Sequence, residues 1–144
     1  RVTGSLPNAN GDTITWSSTK APNNYQGASS IIDGYWGTTW WENYNYSNVI
    51  GNVDLYQQAN NFSTSPTAVY DFVKIQTLAS KMAPGSRKMK QLIKPSSTVY
   101  ELSEQEVPTY WNVVEDILTT NPDTGLKFTG TELNALQTGQ KITV

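Results

Sequence analysis

The 144-residue chain has no cysteine and no histidine. Without Cys there is no disulfide framework and no thiol nucleophile, and without both residue types there is no zinc site of the Cys/His kind. Lack of His removes the commonest general base and any Ser-His-Asp triad. Charge is scarce as well: 15% of residues are charged, with Lys+Arg 10 against Asp+Glu 12 and a net charge of −2. The usual share is about a quarter. No run of about 18 apolar residues exists, so no transmembrane helix is encoded here. A site built on carboxylates alone stays open. Neither Asp33 with Glu42 nor the adjacent Glu115 and Asp116 has the spacing of a glycosidase pair, however, and no Gly-rich phosphate loop is present. The expectation is a protein that is not an enzyme and needs no cofactor or metal.

What is present is length for one domain with a real core, many Asn, and aromatics at 11%. Composition shifts near Ser63–Pro66. Residues 1–62 hold ten Asn, four of the five Trp and five of the eight Tyr, but of the basic residues only Arg1 and Lys20. Residues 1–26, rich in Thr, Ser, Asn, Gly and Pro, read as an extended arm, with one short strand over Gly11–Trp16.

The remainder, 27–144, reads as a helical domain: an aromatic-rich part over 27–62 and a bundle core over 65–138. Ile32, Tyr35, Trp36, Thr39 and Trp40 follow helical spacing despite Gly34 and Gly37. Asn48 is a cap ahead of Val49, Ile50, Val53 and Tyr56. Ser65-Pro66 opens a helix that Pro84-Gly85 ends. Ser86 caps the next, which Lys94-Pro95 stops. Ser103-x-x-Glu106 and Thr129-x-x-Glu132 read as capping boxes. The second of these opens a short helix with Leu133 and Leu136, and Gly139 closes it. Asn121–Gly125 is a turn. The fold class expected from these signals is mainly α, a helical bundle behind an extended N-terminal arm.

Charge is segregated along the chain. Lys74, Lys81, Arg87, Lys88, Lys90 and Lys94 fall in a stretch with no acid between 72 and 94, and six acids with no base fill 95–126. On helices, Lys74 and Lys81 share one face and Arg87, Lys90 and Lys94 another, a surface suited to a phosphate backbone. The plainer alternative is that these bases pair with the acids of 95–126 inside the fold.

Tyr35, Trp36, Trp40, Trp41, Tyr44 and Tyr46 are concentrated in a few turns. They read as an interface between chains. A glycan-stacking platform and core packing are the alternatives. Within this region Ser30-Ile31-Ile32-Asp33-Gly34 followed by Thr38-Thr39-Trp40 resembles a stretch of discoidin-type carbohydrate-binding sandwiches. That family needs a run of β-strands afterwards.

A broader likeness covers some 55 residues. Ser65-Pro66-Thr67-Ala68-Val69-Tyr70, Leu78-Ala79-Ser80-Lys81, Pro84-Gly85-Ser86 to Leu92-Ile93, and Val113–Thr119 together resemble the helical major coat proteins of filamentous archaeal viruses, the rod-shaped and enveloped linear ones. The resemblance implies a virion coat subunit that packages double-stranded DNA, held in A-form, in a helical filament. Its partners would be further copies and a paralogous coat subunit, with a lipid envelope in some branches. It also implies that Lys74, Lys81, Arg87, Lys88, Lys90 and Lys94 are phosphate ligands. The alternatives carried forward are a secreted glycan-binding module using the Trp/Tyr cluster and a pilus-like fibre subunit without nucleic acid.

Overall fold

The computed structural model describes residues 3–19, 23–29 and 44–144. These residues form eleven strands and two short helices, so the expected mainly α bundle is corrected to a β-rich fold. The main sheet has five antiparallel strands in the order β1 (Pro7–Ile14), β4 (Val53–Gln58), β11 (Gln137–Ile142), β7 (Lys88–Lys94), β8 (Tyr100–Glu106). The last strand of the chain therefore lies at the centre, bonded to β4 on one side and β7 on the other. A two-stranded ribbon, β6 (Val73–Ala79) with β9 (Asn112–Leu118), faces the β7–β8 side of this sheet. Shorter pairs are β2 (Ser17–Ser18) with β3 (Asn45–Tyr46), and β5 (Val69–Tyr70) with β10 (Phe128–Thr129). The helices are α1 (Asn24–Ser29) and α2 (Gly130–Ala135).

The strands follow from period-two alternation with β-branched residues on the inner face. In β6, Val73, Ile75 and Thr77 turn inward, while Lys74 and Gln76 are exposed. In β7, Met89, Gln91 and Ile93 are buried on one face, and Lys88, Lys90 and Lys94 lie on the other with Leu92. The core is Ile75, Ile93, Phe128, Leu133 and Leu136, with Phe62, Tyr100, Leu102 and Leu118 packed around it. The amides of buried Gln91 and partly buried Gln105 cross between the layers. Gln91 Nε2 donates to Val114 O at 2.9 Å and to Thr77 Oγ1 at 3.2 Å, and Gln105 Nε2 to Asp116 Oδ2 at 3.0 Å.

The individual helix expectations fail in recognisable ways. Ser65-Pro66 opens a turn, with Ala68 N bonded to Ser65 O at 2.9 Å, and the chain then enters β5 and β6. The segment after Ser86 is β7, and the one after Asn48 is β4. Ser103 lies where β8 gains one residue against β7, since Leu92 faces Glu101 but Lys90 faces Glu104. Ser103 and Glu106 are both residues of β8, and the spacing caps no helix. The helix expected over 27–47 falls largely outside the described residues. The Thr129–Glu132 capping box is present and opens α2, but Gly139 sits in the middle of β11 and does not close the helix. Pro84-Gly85 and Asn121–Gly125 are turns, with φ of 97° at Gly85 and 71° at Gly125, the left-handed region that glycine enters freely. Residues 7–14 do not form a detached arm; they are the edge strand of the main sheet.

Candidate functional site

The six cations assigned to phosphate do not form one surface. Lys74 lies on the ribbon and meets Glu115 across the strand pair at 2.7 Å. Lys88, Lys90 and Lys94 lie on the outer face of the main sheet. There they hold Glu104 at 3.2 Å, Glu101 at 2.9 Å and the Asp12 carboxylate. Lys141 of β11 completes the ladder by holding Glu101 as well. Glu101 is thereby held below the usual carboxylate range, first by Lys141 and then by Lys90. Glu115 is lowered likewise, first by Lys74 and then by Gln76. Segregation in sequence becomes pairing in space: the β7–β8 hairpin sets a basic strand against an acidic one, and long-range antiparallel pairing sets β6 against β9. The ladder also covers Leu55 and Leu92, each 1% exposed on the outer face.

On the opposite side, the ribbon covers only part of the inner face of the main sheet. The rest is the wall of a groove of about 1840 Å³. Its base is polar. Tyr56 and Gln58 of β4 and Thr138 and Gln140 of β11 line it together with Asn45 of β3. Gln58 Nε2 donates to Thr138 Oγ1 at 2.8 Å, and Gln140 Nε2 and Asn45 Nδ2 donate to the Tyr56 hydroxyl at 2.9 and 2.8 Å. The carbonyl oxygen of Asn45 is buried with no hydrogen-bond partner among the described residues. Its rim is aromatic: Tyr44 stands edge-on to Tyr46 at 6.4 Å and to Trp111 at 5.9 Å. Tyr46 is 52% and Trp111 38% exposed.

A buried carboxylate fixes this geometry. Asp54 Oδ1 accepts from Thr15 N and Trp16 N, both at 2.8 Å, and Oδ2 accepts from Asn24 Nδ2 at 2.7 Å and from the Tyr56 hydroxyl at 3.0 Å. The carboxylate thus fills all four of its acceptor sites. Through Tyr56 and Asn45 it ties α1 and β3, and with β3 the rim tyrosines, to the main sheet. Burial first, and the Asp54 charge second, push the Tyr56 phenol far above its ordinary value.

Of the aromatic residues singled out in the sequence, the structure brings Tyr44 and Tyr46 to the groove. Tyr35, Trp36, Trp40 and Trp41 lie outside the described residues, as do Asp33 and Glu42. Sequence reasoning missed Trp111, which is remote in the chain from the main cluster, and the amides Asn45, Gln58 and Gln140. A signal for the network existed: Asp54 is a lone acid inside the apolar run Val53-Asp54-Leu55-Tyr56. Among the described residues no group of three or more acids is placed to hold a metal ion, and no helix is long and apolar enough to cross a membrane.

The chain matches no family model, no curated protein and no solved structure. No comparison therefore supports a capsid or DNA-binding role, and the helical coat-protein architecture implied by the resemblance is not the architecture of this chain.

Proposed function

We propose that the chain is a carbohydrate-binding β-sandwich module whose ligand lies in the groove between the main sheet and the ribbon. One observation carries this reading: exposed amides and hydroxyls of Asn48, Asn61 and Ser63 line a groove that has a rim of partly exposed Tyr and Trp and a floor fixed by the Tyr56 network. Sugars demand that combination. Their hydroxyls need fixed donors and acceptors, and their C–H faces pack on aromatic rings. The run of strands after residue 44 is also what the discoidin-type likeness at Ser30–Trp40 requires. A phosphate-binding surface is less favoured, because four of its six cations are already neutralised by carboxylates.

The test is affinity electrophoresis of the whole chain through gels containing neutral and acidic polysaccharides. Retardation by at least one polymer is expected, with retardation weakened about three- to tenfold in Trp111→Ala and in Tyr46→Ala, the worth of one aromatic contact. Unretarded migration in every gel overturns the reading.

A further inference from the structure

One end of the groove differs in charge from the rest. It is closed by the β6–β7 connection, residues 80–87, with the β8–β9 connection, residues 107–111, laid beside it. Lys81 N donates to Pro108 O at 2.8 Å and Ser80 Oγ to Thr109 O at 3.1 Å. Lys81, Arg87 and Trp111 all line this end. Of the ten cations in the chain, Arg1 and Lys20 lie outside the described residues, and Lys74, Lys88, Lys90, Lys94, Lys127 and Lys141 each hold a carboxylate. The two that remain are Lys81 and Arg87, whose only bonds among the described residues are to backbone carbonyls. Lys81 Nζ donates to Gly85 O at 2.7 Å, and Arg87 Nη1 to Ser86 O at 2.8 Å.

Those carbonyls belong to successive residues of one turn, so the ammonium and the guanidinium converge on a single stretch of backbone. The acid of the neighbouring strand, Glu106, is engaged by Ser86 Oγ at 2.8 Å, and Asp71, the acid that lines the groove among the described residues, is held by Lys127. An ammonium has three donors and a guanidinium five. With one spent on each carbonyl, most donors stay available to an anion, and Arg is suited to grip a carboxylate with two parallel bonds.

We infer that this end of the groove is an acidic-sugar subsite: Lys81 and Arg87 take the carboxylate of a uronic acid whose ring packs against Trp111, within an extended polyuronate chain. Resting on the carbohydrate-binding reading, it names the class of glycan. The size of the groove supports a polymer, since pockets for single small molecules run about 300–1,000 Å³. Charge complementarity supports an anionic one, because the groove's other cations are neutralised by the protein itself.

The experiment compares the whole chain in gels of polygalacturonate, dextran sulfate, duplex DNA and neutral xylan, beside the double variant Lys81→Gln/Arg87→Gln. Arg87 is exposed and Lys81 half-buried in a loop, so the double substitution removes no core contact. Lys90→Gln, which removes an outer-face cation, is the control. The expected result is polygalacturonate binding that weakens with salt and falls about tenfold or more in the double variant, the worth of a charge-assisted bond. It stays unchanged in Lys90→Gln. Xylan binding by wild type with no affinity for polygalacturonate overturns the acidic subsite while leaving carbohydrate binding intact. Polygalacturonate binding that survives the double substitution overturns the assignment to this residue pair. Tighter binding of dextran sulfate or duplex DNA than of polygalacturonate overturns the uronate. No binding to any polymer removes both proposals.

Discussion

The Tyr56 hydroxyl donates to the Asp54 carboxylate at 3.0 Å from two positions along the same strand, and both side chains are buried on the inner face of β4. The carboxylate is the acceptor for four donors, two from the β1–β2 connection, one from α1 and one from its own strand. Asp54→Asn places an amide where Oδ2 was, and that amide points its protons at the Asn24 Nδ2 donor. The expected outcome is a loss of about 2–3 kcal/mol, the cost of an unsatisfied buried polar group, read from the midpoint of urea unfolding. Because the same network anchors β3, the variant also loses glycan affinity under conditions where it remains folded.

Tyr56 spends its whole hydrogen-bonding capacity: one bond donated, two accepted from Asn45 and Gln140. Its phenol titrates far above the ordinary value of 10.0. With the folded value raised, the unfolded chain ionises first. This contribution to stability is therefore complete below about pH 10 and drains away as pH rises beyond it. Tyr56→Phe strands two buried amide donors and costs about 1–3 kcal/mol at neutral pH. It should also shallow the fall in stability above pH 10, which unfolding titrations from pH 8 to 11 measure directly.

The ladder on the outer face makes the opposite prediction at acid pH. Glu101 is held below its ordinary value of 4.5, first by Lys141 and then by Lys90. A lowered folded value means that the stabilisation is present above pH 4.5 and is lost as pH falls through the folded value. In Lys141→Ala the Glu101 carboxyl should titrate measurably higher than in wild type, read from its side-chain carbon shift by NMR. Global stability at neutral pH changes little, because exposed pairs contribute little. A Glu101 midpoint that does not move removes Lys141 as the principal cause.

The punctuation of this fold was legible in the sequence, and its period was not. Asn121–Gly125 read as a turn and Pro84-Gly85 as the end of an element, though of a helix and not of the strand it follows, because glycine and proline act through their own backbone. Thr129–Glu132 read as a capping box because the box is local. The strands were misread because the inner face of the main sheet is not uniformly apolar. Asp54, Gln140 and Gln91 form a buried polar row across β4, β11 and β7, while Leu55 and Leu92 lie on the outer face among lysines. Alternation is blurred on both faces, and apolar residues three and four apart then imitate a helix. The segregated charges were visible, but their meaning depended on pairing: one geometry exposes a basic face, whereas antiparallel strands neutralise it and leave Lys81 and Arg87 over. The groove was illegible because Tyr44, Trp111 and Gln140 meet only through long-range pairing.

The crossing of β4 and β11 offers the most direct test of the fold. A Cβ on Gly139 would lie 1.8 Å from Asp54 O and 2.8 Å from Asp54 C, both backbone atoms that cannot swing away. Gly139→Ala must therefore push the two central strands apart, at a cost of about 3 kcal/mol. It also shifts the backbone that carries the Asp54 carboxylate. By contrast, a Cβ on Gly4 meets nothing within 4 Å, so Gly4→Ala should stay within about 0.5 kcal/mol of wild type. Parallel urea titrations of the two variants decide the matter. Equal stability would mean that β11 does not lie against β4 at this register, and with that register lost, the amide base of the groove would not assemble.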